Sequence, residues 1–297
     1  MKNKVAKYRP SLKIGLIGVG AVGVPLALQL RQKGFNFHAV VSRTSRTARK
    51  LAAKIQCASA GSDFNLLTDC NLILITVPDS QIQTVVTKLQ RVYFQDREVI
   101  VIHTSGTQAS SSLAKLKQNN KTSRIYTASM HPMQTFPTKM IWNKESLENQ
   151  FKNIYFGIEG EATTYPVITR LIRNLGGRCL KISSEQKALY HMGGVFSSNF
   201  LIALLYISKN MYAHIGLKEK KSVDILLPII TQTLNNVKNN DIVSSMTGPA
   251  SRGDRAVILN HIKMLHSIGS NHLKLYKELT RVCMEIAKTR KHLHQAL

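Results

Sequence analysis

The pattern of apolar residues changes once along the chain, near Ile182, and that change restricts the possible folds more than any other feature. Before it, short β-branched runs alternate with stretches of helical periodicity. Strands are predicted at 13–18, 37–42, 72–77, 99–103, 124–130, 154–158 and 179–182, with helices near 20–33, 46–55, 80–91, 110–117 and 162–175. Parallel strands need long connections, which helices supply, so this alternation predicts a doubly wound parallel sheet. After Ser183 the alternation stops and only helical stretches follow, at 185–215, 218–239, 254–267 and 271–291. The expected architecture is an α/β domain over 1–182 followed by an all-α domain over 183–297. Two domains suit 297 residues, since a domain usually takes roughly 100–200.

Gly18-Val19-Gly20-Ala21-Val22-Gly23 joins the first predicted strand to the first predicted helix. In that context the spacing is a dinucleotide fingerprint. Gly18 permits the tight turn, Gly20 lets backbone approach a pyrophosphate, and Gly23 lets helix pack closely on strand. The helix N-terminus offers free N–H groups and the positive end of its dipole. A Rossmann-type domain is therefore expected. The NAD form of the fingerprint carries an acidic residue about 20 positions on, and none is present. The second strand instead ends in Ser42-Arg43-Thr44-Ser45-Arg46, whose hydroxyl and guanidinium groups suit a 2′-phosphate. NADP is the expected cofactor.

Ligands of open α/β sheets lie outside the carboxyl ends of the strands. That rule puts Val77-Pro78-Asp79 and His103-Thr104-Ser105-Gly106 beside the nicotinamide half of the cofactor. His131, at the end of the next strand, either polarises a substrate oxygen, pairs with the cofactor or braces its loop.

In the helical half, Lys187, His191, Gly194 and Ser198 fall within about 60° of one another on a helix, a polar, small-residue stripe followed by Asn199. Gly193 and Gly194 cost about 1 kcal/mol each in a helix interior, which a close ligand or a tight helix crossing would explain. Further on, a turn rich in helix breakers carries Arg252, with Asp254 placed to cap the next helix. Arg252 either grips a substrate carboxylate or bridges to Asp254 within the loop.

The elements G-V-G-A-V-G, V-P-D-S, H-T-S-G, H-P-M-Q-x-F, K-A-L-Y-H-x-G-G-V-F-x-S-N and T-G-P-x-x-R-G-D occur in this order. In this layout the chain resembles the Rossmann-like NADP oxidoreductases whose C-terminal half is domain of unknown function 2520. That family is similar in design to pyrroline-5-carboxylate reductase, ketopantoate reductase and the 6-phosphogluconate dehydrogenase group, and the H-P-M element is similar to one in prephenate dehydrogenase. The resemblance covers nearly the whole chain. It implies an NADP domain, a helical domain that forms a homodimer, and an active site between the two. Hydroxyacid dehydrogenase relatives place a lysine and, four residues later, an asparagine on the first long helix. Here Lys187 is followed by His191, a pair still able to move a proton to a carbonyl or imine.

The resulting expectation is an NADP-dependent reductase acting on a C=O or C=N of a small anionic metabolite. His191 donates the proton, Lys187, Ser198 and Asn199 orient the substrate, and Arg252 grips its charge. The alternative is a nucleotide-sensing regulator that binds NADP without turnover.

Lysine and arginine total 41 against 16 acidic residues, a formal charge of +25. The excess is spread over both halves, so an anionic ligand is expected and a specific nucleic-acid site is not. Cys57, Cys70, Cys179 and Cys283 show no zinc spacing, which predicts no structural metal and a reduced, cytoplasmic setting. A basic start before the apolar stretch 14–28 has the outline of a secretory signal, but its glycines and the strand that follows read as part of the fold. The apolar runs 72–77, 202–207 and 225–230 are shorter than the ~20 residues of a spanning helix, so no membrane association is expected.

Overall fold

The computed structural model describes residues 12–119, 123–137, 142 and 149–295. The basic start therefore lies almost wholly outside the described residues. Eight strands form one sheet: β1 Ile14–Ile17, β2 Phe37–Val41, β3 Ser59–Gly61, β4 Leu72–Ile75, β5 Glu98–His103, β6 Arg124–Pro132, β7 Tyr155–Gly160 and β8 Arg178–Lys181. Their order is β3-β2-β1-β4-β5-β6-β7-β8. All pairs are parallel except β6 with β7.

The strand compositions explain this arrangement. Every residue of β1 (Ile-Gly-Leu-Ile) and β4 (Leu-Ile-Leu-Ile) is buried, as befits central strands covered on both faces. Leu16 joins one apolar core with Val24, Leu51, Phe156 and Ile172, whereas its neighbour Ile17 joins the other with Ile73, Val86 and Val101. Each such fully buried side chain contributes ~1.5–3 kcal/mol. The covering helices are α1 Gly23–Gln32, α2 Ser45–Ile55, α3 Ile82–Leu89, α4 Lys115–Asn119 and α5 Tyr165–Asn174. Two features differ from the sequence expectation. β3 is three residues of Ser-Ala-Gly recruited by pairing with β2 rather than by an apolar run, and β7 runs against β6, a direction that periodicity does not encode.

Because β1 lies between β2 and β4, strand order reverses at β1, which opens a crevice at its carboxyl end.

The stretch expected as one helix over 185–215 is two, α6 Lys187–Ser197 and α7 Asn199–His214, separated where Ser198 leaves helical geometry (φ −125°, ψ −67°). The chain divides into two compact units at the same point, Ser198/Asn199, so α6 belongs with the sheet. The second unit continues with α8 Glu219–Asn239, α9 Pro249–Arg252, α10 Arg255–Ile268 and α11 Ser270–Gln295. Asp254 caps α10 by accepting from the Val257 N–H at 3.3 Å, and Arg290 ties α11 to the α9 region through Ser251 Oγ at 3.0 Å.

By length and composition Lys187–His214 could cross a membrane, contrary to the expectation from short apolar runs. Two features give another account of this stretch: the helix is interrupted at Ser198, and Lys187 is bonded into the sheet-bearing unit.

Candidate functional site

All the candidate residues ahead of Ile182 lie at the carboxyl ends of β1, β2, β4, β5 and β6, as the sheet rule requires. In the glycine loop, Gly18 adopts φ +101°, and its N–H donates to the Val41 carbonyl at 2.9 Å. A Cβ on Gly18 would meet the Thr76 carbonyl at 2.8 Å, and one on Gly23 would lie 2.3 Å from both the Gly18 carbonyl and Thr76 Oγ1. Thr76 stitches the loop to β4 by donating to the Gly18 carbonyl at 2.7 Å.

Gly20 is different. Its added Cβ would find only the Thr76 carbonyl, at 3.8 Å. The protein itself thus requires glycine at Gly18 and Gly23, whereas Gly20 keeps space clear above the turn. No side chain caps α1. In its first turn the Val24 and Leu26 N–H groups bond to the Gly20 and Val22 carbonyls and Pro25 has none, so it is the Gly23 N–H and the positive dipole end that serve the same space. Half-buried Val19, Ala21 and Val22 complete the loop. This cradle fits a pyrophosphate, which needs close backbone approach and unpaired donors.

At the end of β2, the Ser42 N–H donates to the Gly61 carbonyl at 3.0 Å. Thr44 caps α2, and Arg43 and Arg46 are exposed. No carboxylate occurs over 42–47, so the ribose end of a dinucleotide would meet hydroxyl and guanidinium groups.

Asp79, after Val77 and Pro78, clamps the loop after β5. Its Oδ2 accepts from Ser105 Oγ and Thr107 Oγ1, both at 2.7 Å. Thr104 holds the same loop by donating its N–H to the Ile75 carbonyl at 3.1 Å. His103 is wholly buried. Its Nδ1 accepts from the Ser105 N–H at 3.2 Å, which leaves Nε2 to donate to the Ala109 carbonyl at 3.1 Å. Burial pushes its pKa down to about 4, so the ring is neutral near pH 7.

Helix α6 brings Lys187, Tyr190 and His191 onto the ends of β5 and β6. Lys187 is 0% exposed, and its Nζ donates to Ser129 Oγ at 2.5 Å and to the Ser105 carbonyl at 3.2 Å. Burial lowers its pKa, while Glu159 and Asp79 act in the opposite direction. The His131 and His191 rings lie 5.8 Å apart at 61°. Both edges converge on Gly106, where a Cβ would sit 2.5 Å from His191 Cδ2 and 2.8 Å from His131 Nε2. Tyr190 stands edge-on to His131 at 5.6 Å, and its hydroxyl accepts from the Gly157 N–H at 3.0 Å. Burial, then the His191 and Lys187 charges, pushes His131 down to about 4. Chemically, the cluster presents two imidazoles, one of them held neutral, over a floor without side chains.

Two domain models match the chain: a Rossmann-like domain over residues 2–124 and a domain of unknown function, DUF2520, over 154–283. The chain carries a Rossmann-like domain followed by a DUF2520 domain. The DUF2520 match begins near β7 and includes α6, so Lys187, Tyr190 and His191 are DUF2520 residues. Among solved structures, a protein from Thermotoga maritima is 26% identical over 94% of this chain and 99% of its own, with a TM-score of 0.73. A candidate NADP oxidoreductase from Bacteroides fragilis gives 26% identity, 93% and 98% coverage and the same TM-score, 0.73. Pyrroline-5-carboxylate reductase from Streptococcus pyogenes, at 16% identity, 94% and 98% coverage and a TM-score of 0.61, shares the fold. No curated protein matches the chain.

The sheet-bearing unit thus gathers His131, Lys187, His191, Asp79 and Ser105 at one place. Gly194 packs against Met133, whose Sδ would lie 2.7 Å from an added Cβ, and Ser198 Oγ bonds back to the Gly194 carbonyl at 2.7 Å. Asn199 opens α7 and Arg252 ends α9, both in the second unit.

Periodicity and spacing do not single out Tyr190, Ser129 or Glu159, whereas Gly106 stands with His103, Thr104 and Ser105 in the sequence expectation. Tyr190 was within reach, since it lies three residues after Lys187 and shares its helix face. Glu159 carried no signal, because its role depends on long-range partners. It is buried and accepts from the Ser110 N–H and Oγ, both at 2.7 Å, and from Ser184 Oγ at 3.0 Å. That clasp fixes the turn three residues ahead of Lys187.

Proposed function

We propose that the protein is an NADP-dependent oxidoreductase that reduces a C=O or C=N of a small anionic metabolite. One observation carries this reading: an open glycine cradle and a paired-imidazole cluster occupy the same carboxyl edge of the parallel part of one sheet. Likeness to a candidate NADP oxidoreductase at 26% identity supports it. NADPH, when bound, supplies the hydride. The chain's part is to hold the pyrophosphate on the loop from Gly18 to Gly23, to engage the 2′-phosphate through Ser42 and Arg43, and to exclude water. His191 delivers a proton to the carbonyl oxygen or imine nitrogen, with neutral His131 as a hydrogen-bonding partner to the substrate.

Arg43 makes cofactor choice testable. NADPH is expected to bind at least about tenfold more tightly than NADH, ~1.4 kcal/mol. Arg43→Ala should weaken NADPH and leave NADH nearly unchanged. Equal affinities for the two dinucleotides in calorimetry would contradict the assignment.

We also propose that the helical unit forms a homodimer. Its α7 exposes Ile202 (65%) and Tyr206 (60%), and α8 exposes Leu227 (54%) and Ile229 (63%). Apolar surface of that extent marks an interface. Light scattering at micromolar concentration should report twice the 33.2 kDa chain mass, and a monomer would refute the dimer. All four cysteines are free thiols, which fits the cytoplasm as the proposed compartment.

A further inference from the structure

Lys187 is the most deeply placed cation of the site. It is 0% exposed, and among the described residues no carboxylate lies within ion-pair distance of its Nζ, which meets only Ser129 Oγ and the Ser105 carbonyl. Anchoring α6 to those two acceptors needs donors but no charge. A buried ammonium with no carboxylate paired to it is costly; Glu159 and Asp79 favour its charge from beyond ion-pair distance, but anchoring does not itself require that charge.

The surroundings of His131 give that charge a role. From α6 His131 meets Tyr190 and His191; Lys187 is placed beside it through Ser129, which accepts from Nζ and stands two residues before His131 on the same face of β6, and through the Ser105 carbonyl next to Gly106, over which the His131 ring lies. His103 at the end of β5 and Asp79 after β4 act on it as well. Asp79 is the one carboxylate in that set, and its Oδ2 is engaged by Ser105 and Thr107. His103 has both ring nitrogens committed inside its loop.

We propose that Lys187 is a positioning residue: its enclosed ammonium keeps the neighbouring His131 imidazole neutral, so that His131 hydrogen-bonds as an uncharged ring beside the proton donor His191. The part concerning His191 rests on the reductase reading above; the part concerning Lys187 and His131 does not. The direction of the His131 shift agrees, with burial the larger cause and the His191 and Lys187 charges adding to it. Like charge disfavours a second cation nearby, so removing the ammonium should let His131 protonate at higher pH.

The test is a histidine NMR titration of the full chain, with His131 assigned by comparison with His131→Gln. In Lys187→Gln, which keeps hydrogen-bond donors but loses the charge, the His131 midpoint should rise by about 1 unit. In Ser129→Ala, which keeps the charge but loses an acceptor, it should not rise. An unchanged His131 midpoint in folded Lys187→Gln would overturn the proposal and reduce Lys187 to an anchor. Should the glutamine variant fail to fold, Lys187→Met, which keeps the apolar stem, is read by the same criterion. The titration uses neither NADPH nor substrate, so its failure and the failure of the reductase reading are separate results.

Discussion

Gly20→Val is expected to abolish NADPH binding, weakening it by about 100-fold or more, or ~2.8 kcal/mol, while the protein still folds. The asymmetry among the three loop glycines is the reason. A side chain on Gly18 or Gly23 would strike backbone or Thr76 at 2.8 Å or less, so those variants would damage the fold itself. At Gly20 the nearest neighbour of an added Cβ is 3.8 Å away, so valine is accommodated by the protein and occupies only the space a pyrophosphate would take. Unchanged thermal unfolding with lost NADPH binding is the expected pair of results. Normal NADPH binding by the folded variant would place the dinucleotide elsewhere on the molecule.

His191→Ala should lower turnover by roughly 10²–10⁴, the usual cost of losing a general acid, with NADPH affinity preserved. His191 is half-buried, stacked edge-on against His131 and seated on Gly106, whereas His103 is sealed in its loop. Turnover equal to the parent would move the proton to another group, His131 first. The accompanying pH dependence is set by direction. His131 is held down to about 4, so on lowering the pH its ring becomes charged only near that value, and a neutral His131 is available at every pH well above it.

Much of the fold and part of the site are legible in the sequence. Runs such as Leu-Ile-Leu-Ile of β4 announce a strand buried on both faces, and the glycine loop announces its own geometry because only glycine satisfies Gly18 and Gly23. The stripe of Lys187 and His191 is visible from helical periodicity. The features that periodicity misses depend on contacts between distant residues. The reversal of β7, the recruitment of Ser59–Gly61 as β3 and the Glu159 clasp are each determined by partners tens of residues away. The break at Ser198 is also hidden, since 185–215 is uninterrupted in helical periodicity and contains no proline.

The central claim, that the cradle and the imidazole pair together perform hydride reduction, is tested most directly by following NADPH absorbance in the presence of small keto acids and cyclic imines. Substrate-dependent oxidation of NADPH by the parent protein, faster than with NADH and lost in Gly20→Val, is the expected result. Tight NADPH binding with no oxidation across the whole panel would contradict it and favour a protein that senses the nucleotide without consuming it.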